Sequence, residues 1–300
     1  MTRITVPTPA DSGAVRGMIC ALKTRYRFLD GWPIGASVCG RELYCLRVGT
    51  GRERILYAAA FHGQEWLTSL VLLRLCEELC DALSGDGRFA DMDFAKAMAG
   101  RSLYLIPQVN PDGVEIALHG SHAAGGYAGA VAALGGDTPG LWQANACGVD
   151  LNHNYNAGWE QLAAAEGAAG ITGPSPRQWR GPWPESEPET RAVTALCRQQ
   201  RFRHVLALHS QGEEIYWQYG DRTPSQSRLM AEVMAVSSGY TVAQPTGLAS
   251  HGGFKDWFIC ETGRPGFTVE CGKGKNPLPL TDLEPLYDRL REMLAILLLM

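Results

Sequence analysis

Three short runs, RILYAAAF (54–61), HVLALHS (204–210) and GFTVECG (266–272), are mostly apolar without alternation, and each leads into a polar residue: His62, His209 and Glu270. A strand that turns neither face to water reads as a continuous apolar run, which is the mark of a sheet covered on both sides. Helical periodicity lies between them. From Glu65 to about Leu83, the residues Leu67, Leu70, Val71, Leu75 and Leu79 recur at three- and four-residue spacing. The chain is therefore expected to be α/β, a single domain with a mixed twisted sheet flanked by helices.

Other elements fill in this plan. Residues 13–26 read as a helix, and residues 39–49 read as a strand joined to 54–61 by a glycine-containing turn at 49–51. The segment 101–110 reads as a strand stopped by Asn110-Pro111-Asp112-Gly113, a strong turn signal. Residues 118–184 carry little periodicity and are expected to be a long functional loop. Ser186 and Glu189 have the spacing of a capping box opening a helix, and Thr281 to Leu298 reads as a final amphipathic helix. No linker separates two halves, so residues 1–300 are expected to be one domain, with 1–12 an N-terminal extension.

Composition narrows the class. A net charge of -4 offers no basic field for nucleic acid or anionic lipid. The nine cysteines are odd in number and scattered without a CxxC, which suits buried free thiols in a reducing compartment. The N-terminus lacks the apolar stretch of a signal peptide, and the run LAILLLM (294–300) is too short to span a bilayer. A cytoplasmic location is expected, with no membrane or nucleic-acid partner; the oligomeric state is left open.

The polar residues at the strand ends carry the chemistry. In open α/β sheets the site lies beyond the carboxyl ends of the strands, where residues remote in sequence converge. His62 and Glu65 flank a glycine where a strand gives way to a helix, close enough to share one ion. With His209 they supply two imidazoles and one carboxylate, a set that leaves a fourth position open, as a catalytic zinc requires. A lone HxxE or a lone strand-end histidine is weak evidence. Their joint occurrence at strand ends, with Glu270 ending a third strand, is not.

On these residues the chain resembles the zinc carboxypeptidases of the carboxypeptidase A superfamily. The matching motifs run in order: FHGQEW, VNPDG, GVDLNHN, ALHS and FTVE. The resemblance covers residues 15 to 295 and implies one Zn2+ per chain held by His62, Glu65 and His209, with Glu270 as general base and acid. Within the superfamily the longer stretches HSQGEEIYW (209–217), GGFKDWFI (252–259) and ECGKGKNPLPL (270–280) are most similar to bacterial γ-D-glutamyl-diaminopimelate endopeptidases. Hydrolysis of the γ-D-glutamyl–diaminopimelate bond of peptidoglycan stem peptides is the expected activity, with a peptide or muropeptide as substrate.

The departures from that family concern arginines. Where digestive carboxypeptidases carry Arg between the first two ligands, this chain has Gln64. Their oxyanion Arg falls on Gln143, their Asn-Arg carboxylate clamp on Asn152-His153, and their mobile Tyr on Leu248. Gln143, Asn152 and His153 are thus the expected substrate-binding residues, with Arg177 or Arg180 as candidate substitutes for the lost charge. Glu213 or Glu214 could receive the distal ammonium of diaminopimelate, and Lys255 beside Asp256 reads as a structural ion pair. Two other readings stand beside the endopeptidase: an ordinary carboxypeptidase removing C-terminal residues, and a catalytically weak muropeptide-binding module.

Overall fold

The computed structural model describes residues 2–138 and 140–300. One mixed sheet of eight strands runs through it, built from β1 (Asp30–Ala36), β2 (Glu42–Val48), β3 (Glu53–Ala59), β4 (Arg101–Ile106), β5 (His204–His209), β6 (Glu214–Tyr216), β7 (Thr241–Ala243) and β8 (Gly266–Glu270). The spatial order is β1-β2-β4-β3-β5-β8-β6-β7. The central strands β4, β3, β5 and β8 are mutually parallel, while β1, β2 and β6 pair antiparallel.

Alternate side chains of the central strands enter two separate apolar layers. Ile55, Tyr57, Ala59, Leu206, Leu208, Phe267 and Val269 face the helices α1 (Ser12–Arg25), α2 (Leu67–Ser84), α6 (Gln226–Ser238) and α8 (Leu283–Leu299). Leu56, Ala58, Val205 and Ala207 face α5 (Pro188–Gln200) and α7 (Phe254–Thr262). The remaining long helices are α3 (Pro111–His119) and α4 (Trp159–Ala168). Burial on both faces explains why these strands show no alternation of polarity.

Several local expectations are corrected. The strands β2 and β3 are consecutive in sequence but do not pair, because β4 lies between them. The connection must pass beneath the start of β4, and only glycine allows it. A Cβ on Gly51 would lie 1.9 Å from the backbone carbon of Gly100. Asn110-Pro111-Asp112-Gly113 opens α3 instead of making a turn: the Asn110 side chain accepts from Gly113 N, and Pro111 takes the first helical position. The capping box at Ser186 does not form. Glu187 occupies the N-cap with Pro188 after it, and the Ser186 hydroxyl accepts from Asn154 and donates to Glu187. The segment 118–184 is partly helical, including Ala128–Ala133 and α4.

The segment before α1 is pinned to the body. The buried Glu77 carboxylate accepts from the backbone N–H groups of Ile4 (2.7 Å) and Thr5 (2.8 Å), from the Thr5 hydroxyl, and from Arg25 at 3.1 Å. Burial opposes the Glu77 charge, but these donors hold its carboxyl below the usual range. A folded-state value depressed in this way contributes stability above the unfolded value of about 4.3, and the contribution is lost as pH falls through the folded value. Glu77→Gln should therefore cost roughly 2–4 kcal/mol at neutral pH, measured by urea unfolding. The gap from wild type should close as the pH is lowered through the carboxylate range; a pH-independent gap would mean that packing, not charge, is what Glu77 supplies.

All nine cysteines are free. Among the described residues no helix is long and apolar enough to cross a membrane.

Candidate active site

At the carboxyl end of β3 the chain leaves the sheet through Phe61 and His62 into a single 3-10 turn, Gly63–Glu65, and then enters α2. This turn is fixed from three sides. The Thr68 hydroxyl donates to Glu65 O (2.7 Å) and accepts from Ala60 N (3.0 Å), and Gly63 N donates to Gln143 O (3.0 Å). The turn presses so closely on α3 that a Cβ at Gly63 would sit 2.1 Å from Gly113 O. That contact explains the glycine between the two polar residues.

The turn brings His62 and Glu65 against His209, the last residue of β5. Their donor atoms lie within 4.8 Å of one another. His62 Nδ1 is 2.8 Å from one Glu65 oxygen and His209 Nδ1 is 2.9 Å from the other. The His209 ring stacks on Phe61 with centroids 5.1 Å apart. Burial works against ionisation of Glu65, yet the two imidazoles bring its carboxyl down to about 2.

Asp150, to which sequence reading assigned no role, completes the set. It lies in the loop before the 3-10 turn Leu151–His153 and is buried. One carboxylate oxygen meets His62 Nε2 at 3.1 Å and accepts from Asn152 N at 3.0 Å; the other accepts from Gln178 N at 2.9 Å. Burial opposes its charge, but the His62 and His153 imidazoles and these donors hold Asp150 far below the usual carboxylate range. The available signal was chemical: a histidine serving a metal needs a partner on its other nitrogen, and the motif GVDLNHN holds a carboxylate.

These contacts test whether a cation fits. An ionised Asp150 keeps the proton on His62 Nε2, so in the neutral ring the Nδ1 lone pair faces the carboxylate of Glu65. Lone pair against carboxylate repels unless a positive charge lies between them. A proton can supply that charge: although burial disfavours it, Glu65 and Asp150 push His62 well above its ordinary value. A zinc ion would supply it equally, and the N, O, N donor set is of the kind zinc takes.

Glu270 ends β8, directly opposite His209 in the parallel ladder. Burial first, then Glu65 and Glu214, push its carboxyl up to about 8, with His62 opposing. A cation at the neighbouring donors acts in the other direction. Neither Ser210 nor Cys271 has the setting of a nucleophile. The Ser210 hydroxyl donates to Asn276 (2.8 Å), and burial holds the Cys271 thiol well above its ordinary value.

The site opens into a cleft of about 270 Å3. Gln143, Asn152 and His153 all line it, as do Tyr216, Lys255 and Asp256. Asn152 Oδ1 accepts from Phe254 N at the start of α7 (3.0 Å). His153 Nδ1 donates to Gln178 O (2.9 Å), so a neutral His153 ring turns only an acceptor nitrogen to its other side. Among the described residues no arginine lines the cleft. Arg180 is committed to Glu166 and stacks over Trp159 at 4.1 Å; Arg177 is exposed and does not line the cleft.

The cation that does line the cleft is Lys255. It is buried, bonded to Asp256 and to Gln218 O (2.9 Å), and lies 5.6 Å from the centre of the Tyr219 ring. Lys255 and Asp256 are thus an ion pair, as the sequence suggested, but one facing the cleft. Glu213 points elsewhere, pairing with Arg289 (2.8 Å) and Lys273 (2.9 Å), and Glu214 accepts from the Tyr216 hydroxyl (2.6 Å).

Comparison with known proteins agrees with this geometry. The chain is 37% identical over 279 residues to gamma-D-glutamyl-L-diamino acid endopeptidase 1 of Lysinibacillus sphaericus, covering 92% of this chain and 68% of that one. It is 36% identical to the uncharacterized protein YqgT of Bacillus subtilis, covering 93% and 74%. Bovine thrombin-activatable fibrinolysis inhibitor, solved in complex with a tick carboxypeptidase inhibitor, shares the fold at a TM-score of 0.76 and 20% identity, covering 98% of this chain and 96% of that one. The sequence profile of the zinc carboxypeptidase family matches residues 19–293. With that match and the convergence of His62, Glu65 and His209, the chain belongs to the zinc carboxypeptidase family of metallopeptidases.

Proposed function

We propose that the protein hydrolyses the γ-D-glutamyl–diaminopimelate bond of peptidoglycan stem peptides, with His62, Glu65 and His209 holding one zinc ion. Zinc, when bound, supplies Lewis-acid polarisation of the scissile carbonyl and activation of water near neutral pH. Asp150 fixes the tautomer and orientation of His62. Glu270 takes the proton of the attacking water and delivers it to the leaving amine. Gln143 and Asn152 offer neutral amide donors to the substrate, while His153 can hold a carboxylate only when its ring is protonated.

The observation that carries this reading is the charge of the cleft. A plain C-terminal carboxylate is best clamped by arginine, which grips it bidentately and is always charged. Here the fixed cation is Lys255, coupled to Asp256. A neighbouring ammonium and carboxylate complement the distal end of meso-diaminopimelate, which carries the same two groups. Two of the three Lys255 donors are taken by Asp256 and Gln218 O, leaving one for a substrate carboxylate. The likeness to the Lysinibacillus endopeptidase supports the same substrate class. A pure binding module has no need of a partly buried glutamate opposite a metal donor.

The test is incubation of the zinc-loaded protein with L-Ala-γ-D-Glu-meso-diaminopimelate, read by mass spectrometry for L-Ala-D-Glu and free diaminopimelate. Faster release of C-terminal residues from ordinary α-linked peptides would sink the assignment. Lys255→Met should raise KM for this substrate about 10–100-fold with a smaller change in kcat, because the contact is made in ground and transition states alike. A matched peptide ending in lysine lacks the distal carboxylate and should be far less affected. Equal losses on both substrates would reduce Lys255 to a packing role.

A further inference from the structure

Each of the four parallel strands is entered through arginine. Arg52 and Arg54 flank the first residue of β3, Arg101 opens β4, Arg201 and Arg203 precede β5, and Arg264 precedes β8. Parallel strands begin at one end of a sheet, and the register aligns these starts: Glu53 pairs with Arg101, Ile55 with His204, and Gly266 with Val205. The topology that gathers His62, His209 and Glu270 at one end therefore gathers arginines at the other. Strands of five to seven residues separate the two ends, about 20 Å at the usual rise.

These side chains surround a second concavity, of about 550 Å3, lined by Arg52, Arg54, Arg201, Arg203 and Arg264 with Glu53 as its one carboxylate. Five arginines line it on a chain whose net charge is -4. Glu53 is already shared between Arg101 (3.3 Å) and Arg203 (3.4 Å). Arg54 NH1 donates to Gln200 O (3.1 Å), and Arg264 NH1 to the carbonyls of Arg201 (2.6 Å) and Phe202 (2.7 Å). Arg52 and Arg201 make no side-chain hydrogen bond or ion pair among the described residues. One carboxylate does not balance this set, and like charges within a Debye length repel.

The buried interior beside the cluster feels the same field. His204, the first residue of β5, is fully buried with neither ring nitrogen bonded. Burial, reinforced by Arg203 and Arg101, pushes its imidazole down to about 3. The surface is concave, and none of the exposed large hydrophobic side chains lines it. That shape suits a discrete anionic group better than a flat lipid surface.

We propose that this arginine-lined concavity binds a multiply charged phosphate or diphosphate group, gripped by paired guanidinium forks at the end of the sheet opposite the catalytic cleft. Planar guanidinium groups present parallel N–H donors that match phosphate oxygens bidentately. Such a site would hold a phosphorylated small molecule or a segment of a phosphate-bearing polymer away from the peptidase centre, independently of which peptide bond is cut.

The test is calorimetric titration of the zinc-loaded full chain with inorganic phosphate in one arm and linear polyphosphate in the other. Saturable binding is expected with a dissociation constant of about 1 mM or tighter, weakening steeply as salt is raised. Similar affinity per site in both arms identifies a small phosphate group as ligand; much tighter polyphosphate binding identifies a chain. The double variant Arg52→Gln/Arg203→Gln should lose at least about tenfold in affinity with peptidase turnover and unfolding temperature unchanged. Glu53→Gln, which removes the opposing carboxylate, should bind severalfold more tightly. Equal binding by wild type and the double variant, or no saturation in either arm, overturns the proposal.

Discussion

Glu270→Gln should lower kcat on the muropeptide by about 10²–10⁴-fold, the usual worth of a positioned general acid–base group, while bound zinc and KM change little. The substitution is nearly isosteric, and it relieves a desolvated carboxyl that Glu65 and Glu214 repel. The variant should therefore be no less stable than wild type, and it should keep His62, Glu65 and His209 untouched. Metal content by atomic emission and kcat by steady-state kinetics separate the two outcomes. If turnover and zinc fall together, Glu270 belongs to the support of the metal donors; if neither falls, another group moves the proton.

That Glu270 could be placed near the metal donors from sequence follows from sheet geometry, while its role as base comes from the family resemblance. His209 and Glu270 are Cα partners in adjacent parallel strands, and each is the ionisable residue that closes a largely apolar strand. One such strand end is weak evidence, but three meeting at the same end of the sheet are not. The same logic found His62 and Glu65, because a strand-to-helix turn carries two polar residues around a glycine whose Cβ has no room.

Asp150 was beyond that logic. It sits in a loop whose path is set by Asn145, Gln178 and the start of α5, with no periodicity to reveal it. Lys255 was read as half of an ion pair, which it is, but the sequence carries no sign that the pair faces a cleft. The missed strand β1 contains Gly31, Pro33 and Gly35, residues that read as a turn and are tolerated because β1 lies at the edge of the sheet. The turn read at Asn110 failed for a related reason. Asn followed by Pro begins turns and helices alike, and only the docking of Asn110 Nδ2 on Phe61 O and Gln143 O, both at 3.0 Å, selects the helix.

Asp150→Asn should weaken zinc binding by about 10–100-fold, the range for removing an outer partner of a ligating histidine, and His209→Ala should abolish stable binding. The His209 case is a matter of count, since two donors remain where a catalytic zinc needs three. The Asp150 case turns on a proton. An ionised carboxylate can only accept, so it forces the His62 proton onto Nε2 and leaves Nδ1 free to ligate. An amide can present its NH2 instead, and the ring then places its proton on Nδ1, toward Glu65, where no metal can be held. Loss of the negative charge also removes the main support for positive charge on His62 apart from Glu65. Competition with a fluorescent chelator at pH 7 measures both variants without reference to turnover. Wild-type zinc affinity in Asp150→Asn would mean that Glu65 and the packing of Phe61 orient the ring unaided.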